Sequence, residues 1–174
     1  MKGMLHIEIA RCTGCKTCEI ECAVAHSVSR TLVGVIKDGE KVQKRIHVEK
    51  AGDFSVPVNC RHCEDAPCVA VCPTGAMNRF SQGFPVLLDE KKCIGCRACL
   101  VVCPFGAISM AVEGKVVSKC DLCVRRQAEG LQPACAAGCP TKAITFTNSD
   151  TIAADARRNT AASFLVALEL GNAV

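Results

Sequence analysis

Sixteen cysteines dominate the chemistry this chain offers, and they fall into four groups of four. One group is diagnostic: Cys93-Ile-Gly-Cys96-Arg-Ala-Cys99-Leu-Val-Val-Cys103-Pro104, a C-x2-C-x2-C-x3-C-P run. Three thiolates at that spacing wrap one corner of a [4Fe–4S] cubane, and the fourth cysteine reaches a second cubane nearby. A run of this kind therefore predicts partner runs. Cys12-x2-Cys15-x2-Cys18-x3-Cys22 is one, with Ala23 where the proline would stand. Cys60-x2-Cys63-x4-Cys68-x3-Cys72-Pro73 is another, its middle loop lengthened and stiffened by Pro67. The fourth group is split: Cys120-x2-Cys123, then Cys135-x3-Cys139-Pro140.

Four groups of four match four [4Fe–4S] clusters with no thiol left over. Taken alone, the fourth group also fits a four-cysteine zinc site. Cysteines two residues apart in every group argue against a disulfide scaffold. Lys16, Arg61, Arg97, Lys119 and Arg125 flank the cysteines. Each either raises the potential of a neighbouring cluster or is a solvated surface charge. His26 and His62 read as structural or surface residues, because the cysteine count is already complete. No phosphate-binding glycine loop and no Rossmann fingerprint occur, and no free nucleophilic cysteine remains. The expectation is a protein that does not catalyse chemistry alone.

The elements that must hold these groups are short. The chain lacks Trp and Tyr and has six Phe, so clusters are expected to stand in for large core side chains and to couple metal binding to folding. Leu5, Ile7 and Ile9 alternate with polar residues as in a strand that enters the first cysteine loop. Ala23 to Val28 continues a short helix. Leu32, Val33, Val35 and Ile36 read as strand, Asp38-Gly39 as a hairpin turn, and Val42, Ile46 and Val48 as its return, making residues 31–58 a β-hairpin insertion. Val86-Leu87-Leu88 is a short strand, and residues 108–117 form a second hairpin through Glu113-Gly114. Thr74-Gly75-Ala76, Phe105-Gly106-Ala107 and Thr141-Lys142-Ala143 trail three of the groups as a repeat. The stretch between Cys123 and Cys135 reads as a surface excursion. Residues 149–174 look helical, capped by Ser149 or Asp150 and ended by Gly171, with an apolar side that widens toward Leu170. That side is left to pack on its own domain or on a partner.

The formal charge is +4. Each oxidised cluster with its four thiolates adds about −2, so the loaded protein is roughly −4 and its basic residues read as compensation for buried cluster charge. With basic residues scattered and no aromatic stacking platform, nucleic-acid binding is not expected. The first ten residues carry no apolar signal region, and no twin-Arg leader occurs. Ala161 to Leu168 is too short to span a bilayer. A protein with no transmembrane segment and a cytoplasmic location is expected.

Asn59-Cys60-Arg-His-Cys63-Glu-Asp-Ala-Pro-Cys68 with Cys72-Pro-Thr-Gly-Ala76, Lys92-Cys93-Ile-Gly-Cys96-Arg-Ala-Cys99 with Cys103-Pro-Phe-Gly106, and Lys119-Cys120-Asp-Leu-Cys123 together resemble the four-cluster ferredoxin-like subunits that accompany molybdopterin oxidoreductases, hydrogenases, formate dehydrogenases and carbon monoxide dehydrogenases. The resemblance covers about residues 5–146. It implies an α+β fold of two bacterial-ferredoxin-like two-cluster modules, with the β-hairpin insertion and C-terminal helix added. Residues 1–30 and 118–148 would form an outer module and residues 59–117 an inner one. It implies that Cys12, Cys15, Cys18 and Cys139 hold one cluster, and Cys22, Cys120, Cys123 and Cys135 a second. Cys60, Cys63, Cys68 and Cys103 would hold a third, and Cys72, Cys93, Cys96 and Cys99 a fourth. The implied function is that of a non-catalytic electron-transfer subunit. It would carry electrons between a catalytic oxidoreductase and a hydrogenase or other redox partner. Cys18-Glu-Ile-Glu-Cys22-Ala-Val-Ala-His26-Ser27 looks most like the iron–sulfur subunit of nickel carbon monoxide dehydrogenases. A formate dehydrogenase or hydrogenase complex, or a diffusible polyferredoxin, is the alternative.

Overall fold

The computed structural model describes residues 3–171. Met1 and Lys2 of the first segment, Asn172–Val174 of the last, and the side chains of Ala167, Glu169 and Leu170 lie outside the described residues. The elements in order are β1 (Met4–Ile7), α1 (Thr17–Ala25), α2 (Leu32–Lys37), β2 (Ile46–Ala51), β3 (Phe54–Asn59), α3 (Pro67–Ala70), β4 (Met77–Asn78), β5 (Leu87–Leu88), α4 (Ala98–Val101), β6 (Ile108–Met110), β7 (Val117–Lys119), α5 (Val124–Ala128), α6 (Ala134–Ala137), β8 (Ile144–Thr147) and α7 (Ser149–Gly171). The fold is α+β: short helices and four two-stranded antiparallel sheets, β1–β8, β2–β3, β4–β5 and β6–β7.

The pairing nests one part of the chain inside another. β1 meets β8 with Ile7 opposite Ile144, while β4–β5 and β6–β7 close between nearby residues. Two buried cores follow. Leu5, Ile46, Leu122 and Ile144 gather with Cys18, Cys22, Cys135 and Cys139 in one. Met77, Val86, Ile108 and Val117 gather with Cys99 in the other. β7 runs through Lys119 and Cys120 opens the next cysteine loop, so the two cores meet at a seam at Lys119–Cys120.

The trailing repeat is a turn with one function. Gly75, Gly106 and Lys142 all take positive φ, and each amide donates to the carbonyl of the preceding cysteine, Cys72, Cys103 or Cys139. The turn then buries Ala76, Ala107 or Ala143 and starts a strand with Met77, Ile108 or Ile144 inside. Cys22 has no such turn because Ala23 lets α1 run on to Ala25.

The insertion departs from the expected hairpin. Leu32–Lys37 is a helix, not a strand, and Thr31 Oγ1 caps it by accepting from Gly34 N at 3.1 Å. Asp38-Gly39 ends that helix. Gly39 takes φ +59°, its amide donates to Ile36 O, and Glu40 N donates to Val35 O, the paired bonds of a Schellman cap. The hairpin itself is β2–β3, turning at Gly52-Asp53 with Ala51 opposite Phe54. It is not a free surface flap: Ile46 is 1% exposed in the outer core. The strand-like reading of residues 32–36 failed because four apolar residues in a short run carry no decisive period.

Glu19 fastens this insertion to α1. Its carboxylate is 8% exposed, accepts Val48 N at 2.7 Å and pairs with Lys44 Nζ at 2.6 Å. Burial pushes the carboxyl up, but the hydrogen bonds from Lys44 and Val48 outweigh it and hold it below its ordinary value. Next door, Gln43 Nε2 donates to Ser109 Oγ and Met110 O on β6, so residues 43–48 strap the two cores together. E19A leaves a buried amide and an unpaired ammonium. It is expected to cost about 3 kcal/mol, with E19Q costing about half as much because its carbonyl still accepts from Val48. The denaturant midpoint for loss of visible absorbance checks both; equal effects would refute the role of the charge.

Helix α7 is capped by Asn148 rather than Ser149 or Asp150: Asn148 Oδ1 accepts from Thr151 N at 2.8 Å. Among its described residues it packs little on the rest of the fold. Its described side chains are exposed apart from the half-buried Ile152 and Ala154, and Phe164 is 66% exposed. Among the described residues no helix is long and apolar enough to cross a membrane.

Candidate iron–sulfur centres

The first C-x-x-C loop of each group is bent by a left-handed residue just before its second cysteine. These are Gly14 (φ +72°), His62 (+50°), Gly95 (+68°) and Leu122 (+58°). The bend turns backbone amides back over the first sulfur. His62 N donates to Cys60 Sγ at 3.4 Å and Leu122 N to Cys120 Sγ at 3.3 Å. Gly95 is required twice over, since a Cβ there would lie 2.3 Å from Lys115 O. G95A is expected to cost about 3 kcal/mol, against about 1 kcal/mol for G75A, where φ is +63° but nothing lies within 4 Å. Denaturant midpoints measured side by side test this; equal losses would refute the contact with Lys115.

The structure brings the sixteen sulfurs together in sets drawn from distant segments. Cys12, Cys15, Cys18 and Cys139 wall one cavity. Cys60, Cys63, Cys68 and Cys103 wall a second, and Cys72, Cys93, Cys96 and Cys99 a third. Cys22, Cys120, Cys123 and Cys135 are all buried, and burial followed by the sulfurs of Cys120, Cys22 and Cys123 pushes the Cys135 thiol up. Burial likewise raises Cys18 and Cys99 to about 11. Sulfurs gathered in fours around such small cavities have few protein partners of their own. Iron, which neutralises thiolate charge, fits them. Further donors aim at sulfur: Arg45 N at Cys22 (3.3 Å), Met77 N at Cys72 (3.4 Å) and Thr17 Oγ1 at Cys15 (3.4 Å).

The two histidines differ in role. His26 Nδ1 lies 2.7 Å from Cys22 O and Nε2 lies 3.0 Å from Asp121 Oδ1. Both partners accept, so both nitrogens carry protons. Burial opposes that charge, but the hydrogen bond to Asp121 outweighs it and raises His26 to about 12. Arg45 binds the other Asp121 oxygen at 2.9 Å. With its nitrogens engaged, His26 has no lone pair for a metal, and it is an internal link between α1 and the Cys120 loop rather than a surface residue. His62 is neutral: burial, then the Lys119 charge, lowers it to about 3. Arg79 clamps the loop after it, donating to the carbonyls of His62, Cys63 and Glu64. Glu19, Arg45, Arg79 and Asp121 were not singled out from sequence. Glu19 and Asp121 are acids between two cysteines, but the exposed Glu21 carries the same sign, so the pattern did not mark them out.

Of the five flanking cations, Lys16, Arg61, Arg97 and Arg125 are exposed, whereas Lys119 is 3% exposed. Its Nζ donates to Val86 O and, at 2.7 Å, to Cys120 O.

A fold of cysteine-walled cavities with amides turned onto sulfur defines an iron–sulfur electron carrier. The chain belongs to the 4Fe-4S dicluster domain family, matching it over residues 53–149, with a second dicluster match over residues 11–77. It is 36% identical to the electron transport protein HydN of Escherichia coli over 94% of this chain and all of that protein. It is 41% identical to an iron–sulfur protein of Rhodospirillum rubrum, over 80% of this chain and 78% of the relative. It is 39% identical to YnfG of Escherichia coli, a probable anaerobic dimethyl sulfoxide reductase chain, over 80% and 70%. With sixteen cysteines in this spacing, the protein carries four [4Fe–4S] clusters and is a non-catalytic electron-transport protein.

Proposed function

We propose that this protein is a four-cluster wire between a catalytic oxidoreductase and a second redox partner. Its ligand sets would be Cys12, Cys15, Cys18 and Cys139; Cys22, Cys120, Cys123 and Cys135; Cys60, Cys63, Cys68 and Cys103; and Cys72, Cys93, Cys96 and Cys99. The observation that carries the reading is the serial arrangement of these sulfurs. Cys18 of the first set influences Cys135 of the second, and Cys68 of the third influences Cys99 of the fourth. Lys119 acts on Cys120 of the second and Cys68 of the third. Among the cysteines, Cys15 and Cys96, one in each terminal set, are the exposed ones, so an electron has a surface contact at either end. The nested modules proposed are residues 1–30 with 118–148, and 59–117.

Among catalytic partners, we favour carbon monoxide dehydrogenase. The support is the stretch from Cys18 to Ser27, whose His26 docks α1 onto Asp121. The test is anaerobic. Purified protein should hold about 16 iron atoms per chain. Rapid mixing should then show reduction by carbon monoxide dehydrogenase with carbon monoxide at about 10⁶ M⁻¹s⁻¹ or faster. Faster reduction by formate dehydrogenase with formate, or by hydrogenase with hydrogen, would replace the partner. Reduction by none of the three would overturn the wire reading.

A further inference from the structure

Lys119 is an ammonium placed inside the protein without an acidic partner. Among the described residues, no carboxylate lies within 4.0 Å of its Nζ. Its bonds go to two neutral carbonyls, Val86 O at the edge of the inner core and Cys120 O at the start of the outer cysteine loop. A buried charge satisfied only by carbonyls costs several kcal/mol unless an anion stands near. Sulfurs flank it on both sides of the seam: Val86 lines the cavity walled by Cys60, Cys63, Cys68 and Cys103, and Cys120 is itself a member of the second ligand set.

We propose that Lys119 is the shared counter-charge of the two clusters that face each other across the seam, and that it sets their potentials together. This rests on the ligand sets proposed above. Reduction adds one electron to a cluster that already carries about −2 with its thiolates, the electron coming from a neighbouring cluster that is oxidised by one electron in the same step. No proton is required. A fixed positive charge stabilises the more negative, reduced form and so raises the potential. Because Lys119 lies between two clusters, it raises both, and makes the inner pair of the wire easier to reduce than the ends. The exposed Lys16, Arg61, Arg97 and Arg125 act through water and do little of this.

The test is an EPR-monitored redox titration of the fully loaded protein. K119Q keeps two donors for the two carbonyls and removes the charge. Two of the four reduction equilibria should shift about tenfold toward the oxidised form, which is about 59 mV for a one-electron couple. The other two should stay within about threefold. The two that move should be the signals lost in C60S and in C120S. K119R, which keeps the charge, should hold all four within about threefold, and R61Q should do the same. Four equal shifts, no shift in a protein with full iron, or a K119R result matching K119Q would overturn the proposal. So would a K119Q protein that takes up no iron while R61Q loads fully, since Lys119 would then be a structural clamp. The ligand sets are judged separately, by iron loss in paired cysteine variants.

Discussion

C103S is expected to remove the cluster begun at Cys60, not the cluster begun at Cys93 ten residues before it. Cys103 follows Cys99 in sequence, yet it shares a cavity with Cys60, Cys63 and Cys68. Cys72 in turn lines the cavity of Cys93, Cys96 and Cys99. Serine is a poor ligand for iron, so each single variant should lose about four of about sixteen irons, or retain a three-iron remnant. Pairing the variants separates crossed from local ligation. C60S/C103S should lose no more than either single variant, about four irons. C93S/C103S should lose about eight. The opposite order, with C93S/C103S losing four and C60S/C103S eight, would show each run closing on itself. Iron analysis of anaerobically purified protein is sufficient, with C72S/C93S as the matching control at about four.

Removing iron altogether is expected to unfold the stretch from Asn59 to Lys119. Its core holds five wholly buried residues, one of them Cys99, and its sheets β4–β5 and β6–β7 pair two and three residues per strand. So little apolar burial does not offset the entropy of ordering the chain, and segments of this size normally depend on metal. The apo-protein also buries thiols that have lost their counter-charge. Chelated protein should therefore be cleaved in this stretch at least about a hundredfold faster than loaded protein, a factor that a stability loss of about 3 kcal/mol already produces. Timed proteolysis with mass analysis measures it. An apo-protein that resists cleavage and keeps its β signal would show that the clusters are cargo rather than core.

Much of the site was legible before any coordinates, because thiolate spacing is dictated by cubane geometry and survives any change in the surrounding fold. The trailing turns were legible for the same local reason: Gly75, Gly106 and the buried alanines after them recur at fixed offsets from cysteine. The insertion was not. Asp38-Gly39 suits a hairpin turn and a helix C-cap equally, and only the bonds from Gly39 and Glu40 to Ile36 and Val35 decide between them. The supporting charges were hidden for a different reason. Lys119 and Lys16 have the same sequence signature, a lysine beside a cysteine. What separates them is burial, 3% exposure for Lys119, which depends on Val86 arriving from another loop. Glu19 likewise gains its role only when Lys44 and Val48 reach it.

The pairing of β1 with β8 bears on how the protein is made. The first cysteine run emerges from the ribosome early, but its strand has no partner until the chain has been synthesised through Thr147. Cys12, Cys15 and Cys18 must wait, exposed and reactive, for Cys139 to complete the cavity they wall. The nested strands have all their partners by Lys119. Assembly is therefore expected to run from the middle of the chain outward. On the ligand sets proposed above, iron and sulfide are expected to reach the inner pair of sites before the outer pair.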